Sequence, residues 1–508
     1  MVTDRDRQKN SGYIDINTLL QVLNAIIMIG AIFSSGDLTE NRYINQHVIN
    51  LSCLIHLQIY VLLRYEKKNT NPFILLLCLN VLVFYLLRIY TLLIDLSGFS
   101  ISFRRVGAEN IGPDQLADFL VYLHLSVWAI FIGFASKDMP ALLKSRILSQ
   151  QPDFGKAYQA YTIFAFLALM TLFVQSWLRD PDLTNFNPGL IFGLFAEIFN
   201  YDKVISLLII LIFLDRKVLD SDRRKFPIVI LVIMLALLII PGGGSSPLYR
   251  FGLPILFAFL VLYGRLKIRK MIIPIVLILG VVFSIYGTYM KFNKMINKSG
   301  ESRNVVSAMN SISGDEFGFI FSNIYARAGF LDFSVEIMNN KEYERLINLR
   351  KYYEAVVDAV LTPGFDVYDT PLAANAMQSI YRSDWVTENP KRSELFGEKY
   401  QSDQINVFAE YYVLFGSIIS LPLLTLSALG FRKIYQYFAD KFSDPIFNKL
   451  IGTTILSIYY SWLKSFGLDW MMVDLKTILL FLFVIYTFVW LSMHVRLRFA
   501  SPPVKQVA

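Results

Sequence analysis

The sequence predicts an all-α, polytopic integral membrane protein with about twelve transmembrane helices and one large extracytoplasmic loop domain. Two observations predict this class. Of the 508 residues, 55% are apolar and only 17% are charged, and the mean hydropathy is +0.47; a soluble domain carries about 25% charged residues. The apolar residues also form long blocks, such as 73–94 and 271–289, close to the length of about 20 residues that crosses a bilayer as a helix.

Apolar windows place the candidate spans along the chain. They lie at 16–35, 44–63, 72–95, 116–136, 159–178, 204–214, 227–241, 248–264, 271–290, 406–430, 447–467 and 475–493. The sixth window is short and follows a separate apolar piece at 189–199, broken from it by residues 200–203. We interpret that piece as a re-entrant or interfacial helix, and a single span over 189–214 is the alternative. The windows divide the chain into an N-terminal bundle (1–290, about nine spans), a loop domain (291–405) and C-terminal helices with a tail (406–508).

The Lys and Arg residues of the loops predict the orientation, because cytoplasmic loops are enriched in them. Alternate segments starting from the N-terminus hold 25 Lys and Arg, whereas the short loops between them hold only 5. We therefore predict that both termini are cytoplasmic. The formal net charge of +8 then reflects orientation in a membrane, and we expect no nucleic-acid partner.

This orientation places the long segment 291–405 outside the cytoplasm. It holds 13 Lys and Arg, 16 Asp and Glu, and 16 aromatic residues. Such an aromatic content argues against disorder, so we expect an ordered cap over the outer membrane face. Residues 339–360 have helical apolar spacing and are followed by the turn sequence Thr362-Pro363-Gly364.

Several chemistries have no support in the sequence. The two cysteines, Cys53 and Cys78, both lie in apolar spans, so they provide neither a disulfide framework nor a metal-binding pattern. No His, Asp and Glu cluster has metal-ligand spacing, and no phosphate-binding glycine loop is present. We therefore expect no metal and no cofactor.

Charges inside the spans are the best pointers to function, because they are costly in a bilayer. Arg88, Asp95, Arg250, Glu410 and Lys464 all lie toward the predicted outward side. Lysine near a helix end can also extend to the headgroups, so Lys464 has an ordinary anchoring interpretation. The set predicts a site near the outer surface.

Arg250 follows a loop of small residues, in the sequence PGGGSSPLYR. Successive glycine amides can bind an anion, and a helix N-terminus adds partial positive charge. A flexible turn between two spans is the alternative. An uncharged loop that leads into an intramembrane arginine favours a site for a phosphate or diphosphate group.

Three further residues have a functional and an ordinary interpretation. Arg327 lies in an apolar stretch, where it either pairs with Asp332 or Glu316 or serves as a second anion ligand. Glu410 lies one turn after Asn406 and is either a general base or the partner of an arginine, and Asp403 precedes it on the same helical face. His124 is a candidate for proton transfer, although such histidines are more often packing residues.

Three patches carry a resemblance to a known family: SSPLYRFGL, IYARAGFLDF and INVFAEYYVLFG. Together with the order of spans and loops, they resemble the bacterial oligosaccharide repeat-unit polymerases, the O-antigen or exopolysaccharide polymerases of the Wzy type. These enzymes belong, with the O-antigen ligases, to the GT-C class of membrane glycosyltransferases. The resemblance implies that undecaprenyl-diphosphate-linked repeat units are joined into a surface polysaccharide such as that of lipopolysaccharide, at the outer face of the bacterial cytoplasmic membrane.

The resemblance also implies roles for individual residues. Glu410, Arg250 and Arg327 would be catalytic, and the predicted substrate-binding residues are Arg88, Asp403, Tyr249, Lys464, Tyr411 and His124. The implied partners are the lipid-linked donor and acceptor glycans, membrane lipids, and flippase and chain-length regulator proteins.

Two alternatives remain open. An O-antigen-ligase-like glycosyltransferase is one, although ligases usually place a histidine in the large outward loop and 291–405 contains none. A flippase for lipid-linked oligosaccharides is the other, although transporters are usually built from repeats and no repeat is evident here.

Overall fold

The computed structural model describes the parts of the chain that form most of the predicted bundle. The described residues are 13–33, 44–93, 112–135, 154–178, 198–214, 221–239, 246–264, 267–269, 330–339, 349–350, 353–354, 357, 406–438, 441–464 and 468–494. The predicted ninth span, 271–290, and most of the segment 291–405 lie outside these residues. All structural statements below concern the described part of the chain.

The described chain is almost entirely helical. The α-helices are α1 Ile16–Phe33, α2 Gln46–Asn69, α3 Pro72–Val81, α4 Leu87–Leu93, α5 Pro113–Phe134, α6 Phe154–Leu178, α7 Tyr201–Phe213, α8 Ser221–Ile239, α9 Ser246–Tyr263, α10 Phe330–Asn339, α11 Val407–Phe438, α12 Pro445–Lys464 and α13 Leu468–His494. A π-helix, Leu82–Leu86, joins α3 to α4. Every predicted span within the described residues contains a helix. Seven of these helical segments are long and apolar enough to cross a membrane.

Several helices expose large apolar side chains, and some polar side chains are buried among the mostly apolar residues of the interior. On α1 the exposed face carries Val22, Ile26 and Ile29, whereas Asn17 and Asn24 are buried. The buried amides contact α2, where Asn24 Nδ2 donates to the carbonyl of His56 at 3.0 Å. An apolar surface that surrounds paired polar groups suits a lipid environment.

The packing forms two groups of helices around α12. In the first group, α11 packs most extensively on α5, which also contacts α2 and α3. In the second group, α7 packs on α9, α8 and α6, and α6 packs on α13. The helix α12 contacts α3 and α11 of the first group and α7, α9 and α13 of the second group. The C-terminal helices are therefore inserted into the N-terminal bundle.

The chain reverses direction inside α11, which was predicted as one straight span. Gly416 has φ 72° and ψ 171°, a backbone conformation outside the helical region. Tyr122 of α5 contacts both sides of this residue: its hydroxyl donates to Ser420 Oγ at 3.0 Å, and its ring centroid lies 5.2 Å from that of Tyr412. Positions four residues before and four residues after Gly416 are therefore at the same level.

A second contact establishes the reversal. The hydroxyls of Tyr411 and Ser427 are 2.9 Å apart, but 16 residues of straight helix would separate their backbones by about 24 Å. We name residues 407–415 the short arm and residues 417–438 the long arm. The two arms form a helical hairpin, and the short arm descends from Gly416 into the bundle.

Part of the predicted outward loop also lies inside the bundle. Helix α10 packs on α11, α5 and the π-helix, and Leu331, Ser334 and Val335 are fully buried. The apolar face of α10 thus packs against helices of the bundle, and the expected cap over the outer membrane face stays a prediction. Within 339–360, the positions described as helical include Arg350 and Glu354, which form an ion pair at 3.0 Å.

A two-stranded antiparallel sheet departs from the all-α prediction. Strand β1, Tyr13–Asp15, pairs with strand β2, Lys267–Arg269. The Lys and Arg counts place both strands on the same side of the membrane, as the pairing requires. Arg432 Nη1 likewise donates to the carbonyl of Gly133 at 3.1 Å, and both residues are at predicted cytoplasmic ends.

Two helices are placed differently from the prediction. The predicted break at 200–203 is confined to Asn200, which has a positive φ of 34°, so Asp202 and Lys203 lie inside α7. Tyr459 of α12 lies near the middle of the predicted span 447–467. Its ring centroid is nevertheless 5.0 Å from that of Phe73 and 5.2 Å from that of Phe134, two residues near predicted cytoplasmic ends. Helix α12 is therefore offset along the bundle axis relative to α3 and α5.

Candidate functional site

Glu410 lies on the short arm and is fully buried. Its backbone N–H donates to the carbonyl of Asn406 at 3.0 Å, which confirms the predicted one-turn separation. Because the arm descends from Gly416, Glu410 lies about 9 Å below the reversal, at 1.5 Å per residue. The carboxyl group is thus held within the bundle and away from its surface.

Asn406 organises the start of the short arm. Its Oδ1 accepts a hydrogen bond from the backbone N–H of Ala409 at 3.0 Å, so the side chain caps the helix. Its Nδ2 donates to Ser334 Oγ of α10. Both side chains are fully buried. The same asparagine therefore starts the helix that carries Glu410 and ties that helix to α10.

The π-helix supplies the facing wall of the site. The Tyr85 ring lies 5.6 Å from the Phe408 ring and 5.9 Å from the Phe119 ring, and its hydroxyl lies next to Ser334. Single-turn π-helices occur frequently at functional sites. Arg88 follows within the first turn of α4 and is only 7% exposed. The helix irregularities at 82–86 and at Gly416 thus flank the region that holds Glu410.

Tyr411 is buried and its hydroxyl is engaged with Ser427 of the long arm. Its ring also lies 6.1 Å from the ring of Trp462 on α12. These contacts hold the two arms together, so Tyr411 has a structural role beside its predicted role in substrate binding.

Arg250 and Tyr249 lie in the first turns of α9, and the structure describes their backbone only. The hydroxyl of Ser206 donates to the carbonyl of Pro254 at 3.2 Å. These two residues of α7 and α9 therefore lie at the same height along the bundle axis. One turn toward the N-termini of these helices, the backbone of Arg250 is level with Asp202. The predicted anion ligand Arg250 therefore lies on a helix of the second group, whereas the short arm that carries Glu410 belongs to the first group.

Two predicted residues, Arg327 and Asp403, lie outside the described residues. In the sequence, two residues lie between Arg327 and Phe330, the first residue of α10, and two lie between Asp403 and Asn406.

The two remaining predicted residues lie on α12 and α5. Lys464 is the last residue of α12 and is half-buried. His124 lies on α5, where its carbonyl accepts a hydrogen bond from Gln58 at 3.0 Å and its ring packs at 6.4 Å from Trp128. These contacts favour the packing interpretation of His124.

The sequence interpretation missed Lys203. It had been counted as a loop residue, but the side chain is 6% exposed and its Nζ donates to Ser457 Oγ of α12. It also interacts electrostatically with Asp202 and with Asp474 of α13. The signal in the sequence was a lysine directly before an apolar run. A short hydropathy window assigns such a lysine to the end of a loop, although it can also belong to the helix.

Within the described residues, no group of His, Cys, Asp and Glu side chains could hold a metal ion. No protein-family model matches the chain, and neither curated proteins nor solved structures give a significant match.

Proposed function

We propose that this chain is an integral-membrane glycosyltransferase that polymerises undecaprenyl-diphosphate-linked oligosaccharide repeat units into a surface polysaccharide. The observation that supports this most is the setting of Glu410. A carboxyl group is fully buried on a re-entrant arm, beside the π-helix that leads into the buried Arg88. Ionisable groups inside a membrane bundle are costly and tend to mark function.

The proposed reaction transfers a growing glycan to the sugar of another lipid-linked unit. The acceptor hydroxyl oxygen bonds to the anomeric carbon of the donor, and the bond from that carbon to the diphosphate oxygen breaks. The bonding electrons leave with the diphosphate, and the hydroxyl proton passes to the Glu410 carboxylate, or to Asp403 as the second candidate. Arg88, Arg250 and Arg327 would stabilise the developing diphosphate charge.

The proposed location is the bacterial cytoplasmic membrane, with both termini in the cytoplasm. An outward-facing site has no access to nucleotide sugars, so a diphosphate leaving group must arrive on a lipid. A flippase would deliver the units, and a chain-length regulator protein would act with the polymerase. In this topology α10 re-enters the bundle from the outer side.

The first test is deletion of the gene, followed by extraction of the lipid-linked intermediates. A polymerase predicts single repeat units at the outer side that are never lengthened. Replacement with Glu410→Gln, Arg250→Ala or Arg327→Ala should leave the protein in the membrane without polymer, whereas Lys68→Ala, at an exposed helix end, should restore normal chains. Normal chain lengths in the Glu410 and both arginine variants would show that the proposed site is wrong.

A transporter of lipid-linked oligosaccharides is the second candidate, and two observations favour it. Discontinuous helices are common at transporter substrate sites, and α11 reverses at Gly416. Lys203 and Asp474 also place opposite charges on two helices of the second group, α7 and α13. The deletion strain distinguishes the candidates, because a missing flippase leaves the repeat units on the cytoplasmic side.

A further inference from the structure

The short arm is held at two points, one of which belongs to the segment 291–405. At its lower end, the Asn406 side chain is hydrogen-bonded to Ser334 of α10. At its upper end, the arm joins the long arm through Gly416, whose backbone is not helical. Glu410 lies between these two points, so its position depends on both.

The Ser334–Asn406 hydrogen bond joins two fully buried polar side chains, one on α10 and one directly before α11. A buried hydrogen bond is costly to break, since each group left without a partner loses its full solvation. Helix α10 itself docks through an apolar face, with Leu331 and Val335 fully buried on either side of Ser334. The docked helix therefore defines where the short arm begins.

We propose that Ser334 and Asn406 are positioning residues that hold Glu410 in its reactive place. This inference rests on the proposed function of Glu410 as the acceptor base. Through this contact, α10 of the segment 291–405 controls the carboxylate inside the bundle. Neither residue touches the reacting atoms, so each acts through the backbone of the short arm.

The side chains allow the cap and the bridge to be separated. Asn406→Ser keeps an N-cap oxygen but is too short to reach α10, whereas Asn406→Ala removes both functions. Ser334→Ala removes the bridge from the other side, and Ser334→Thr keeps the hydroxyl. Asn45→Ser is the matched control, because Asn45 caps α2 through the N–H of Val48 at 3.0 Å.

The experiment measures initial rates of purified full-length variants, with lipid-linked repeat units extracted from a strain that lacks this protein. Ser334→Ala and Asn406→Ser should lower kcat by about 10- to 100-fold, the cost of misplacing a reacting group by about 1 Å. KM should change by less than about threefold, because substrate binding is retained. Ser334→Thr and Asn45→Ser should keep the kcat of the unchanged protein.

Two results would overturn the proposal. If Ser334→Ala and Asn406→Ser keep full kcat while Glu410→Gln is inactive, the contact does not position the base and the proposed function stands. If the loss in Ser334→Ala is matched by Ser334→Thr and follows a lowered thermal stability in both, the contact is structural only. A fully active Glu410→Gln would instead refute the proposed role of Glu410, and with it the basis of this inference.

Discussion

Tyr411 and Ser427 share a hydrogen bond of 2.9 Å between their hydroxyls although both belong to α11. The contact is possible only because the chain reverses at Gly416. What hydropathy predicts as one span is thus a short re-entrant arm followed by a full-length arm. The reversal places Glu410 below Gly416, where a carboxyl group is enclosed by protein.

Gly416 should tolerate no side chain, although there is open space around it. A Cβ at Gly416 or at Gly430 of the long arm would meet nothing within 4 Å, so sterics do not distinguish the two positions. The backbone at Gly416 is accessible essentially to glycine alone, and we expect Gly416→Ala to destabilise the protein by about 1 to 3 kcal/mol. Gly430→Ala, in regular helix, should stabilise it by about 0.5 to 1 kcal/mol. Equilibrium unfolding in mixed detergent micelles measures both, and equal effects would contradict the hairpin.

Gly133 should be required at the crossing of α5 and α11. A Cβ there would lie 2.6 Å from the Thr425 carbonyl oxygen and 2.6 Å from Ala428 Cβ, so helix backbones would have to separate. We expect Gly133→Ala to cost about 1 to 3 kcal/mol, as overpacking does elsewhere. The control is Gly252→Ala on α9, where a Cβ meets nothing within 4 Å. Thermal unfolding of the solubilised variants tests this prediction. An unchanged unfolding midpoint for Gly133→Ala would show that α5 and α11 cross at a larger distance than these contacts indicate.

The contributions of Lys203 and Asp474 to the free energy of unfolding should depend on each other. Removal of Asp474 leaves the buried Lys203 with one of its two acidic neighbours, Asp202, and removal of Lys203 takes a counter-charge from Asp474. Removal of one partner of a buried pair can therefore cost more than removal of both. We expect Lys203→Met and Asp474→Asn each to destabilise the protein, and the double variant to recover about 1 to 3 kcal/mol of the summed loss. The double-mutant cycle is measured by equilibrium unfolding, and strictly additive losses would refute the pairing.

The same cycle also distinguishes the two candidate functions. If the pair only stabilises the bundle, the double variant should regain polymer formation together with stability. If the charges take part in transport, the double variant should fold but stay inactive.

Asp444 should make the stability of the protein depend on pH in an unusual direction. It lies between α11 and α12, accepts hydrogen bonds from the Tyr161 hydroxyl at 2.5 Å and from the N–H of Ile446 at 2.9 Å, and burial nevertheless raises its pKa above the ordinary value of 3.8. The folded chain therefore binds this proton more tightly than the unfolded chain does. The contribution of Asp444 to stability rises as pH falls from its folded pKa toward 3.8, by at most about 1.4 kcal/mol per pH unit.

Asp444→Asn isolates this effect, because asparagine also caps helices well. The unchanged protein should gain stability relative to Asp444→Asn between neutral pH and about pH 4. Thermal unfolding across that range provides the comparison. A relative loss on acidification would mean that the hydrogen bonds outweigh burial.

The positions of the helices could be predicted from the sequence because transfer of apolar residues into lipid depends on local composition. Each predicted span within the described residues contains a helix, and Glu410 does follow Asn406 by one turn. The buried site residues Arg88 and Glu410 were also found from the sequence, since charges within apolar runs are visible there. Prediction from local composition fails where a single residue changes the direction of the chain.

Only the tertiary structure decided how these helices are used. The run VLFGSIIS is continuously apolar apart from its serines, so nothing local distinguishes a reversal at Gly416 from a straight helix. Lys203 precedes an apolar run and resembles a loop residue until Ser457 and Asp474, more than 250 positions away, surround it. The sequence by itself determined that the chain forms apolar helices, and it predicted that the charges within them lie toward the outer side. Contacts between distant residues decided which charges are buried together, because the energy of a buried polar group depends on partners that no local window contains.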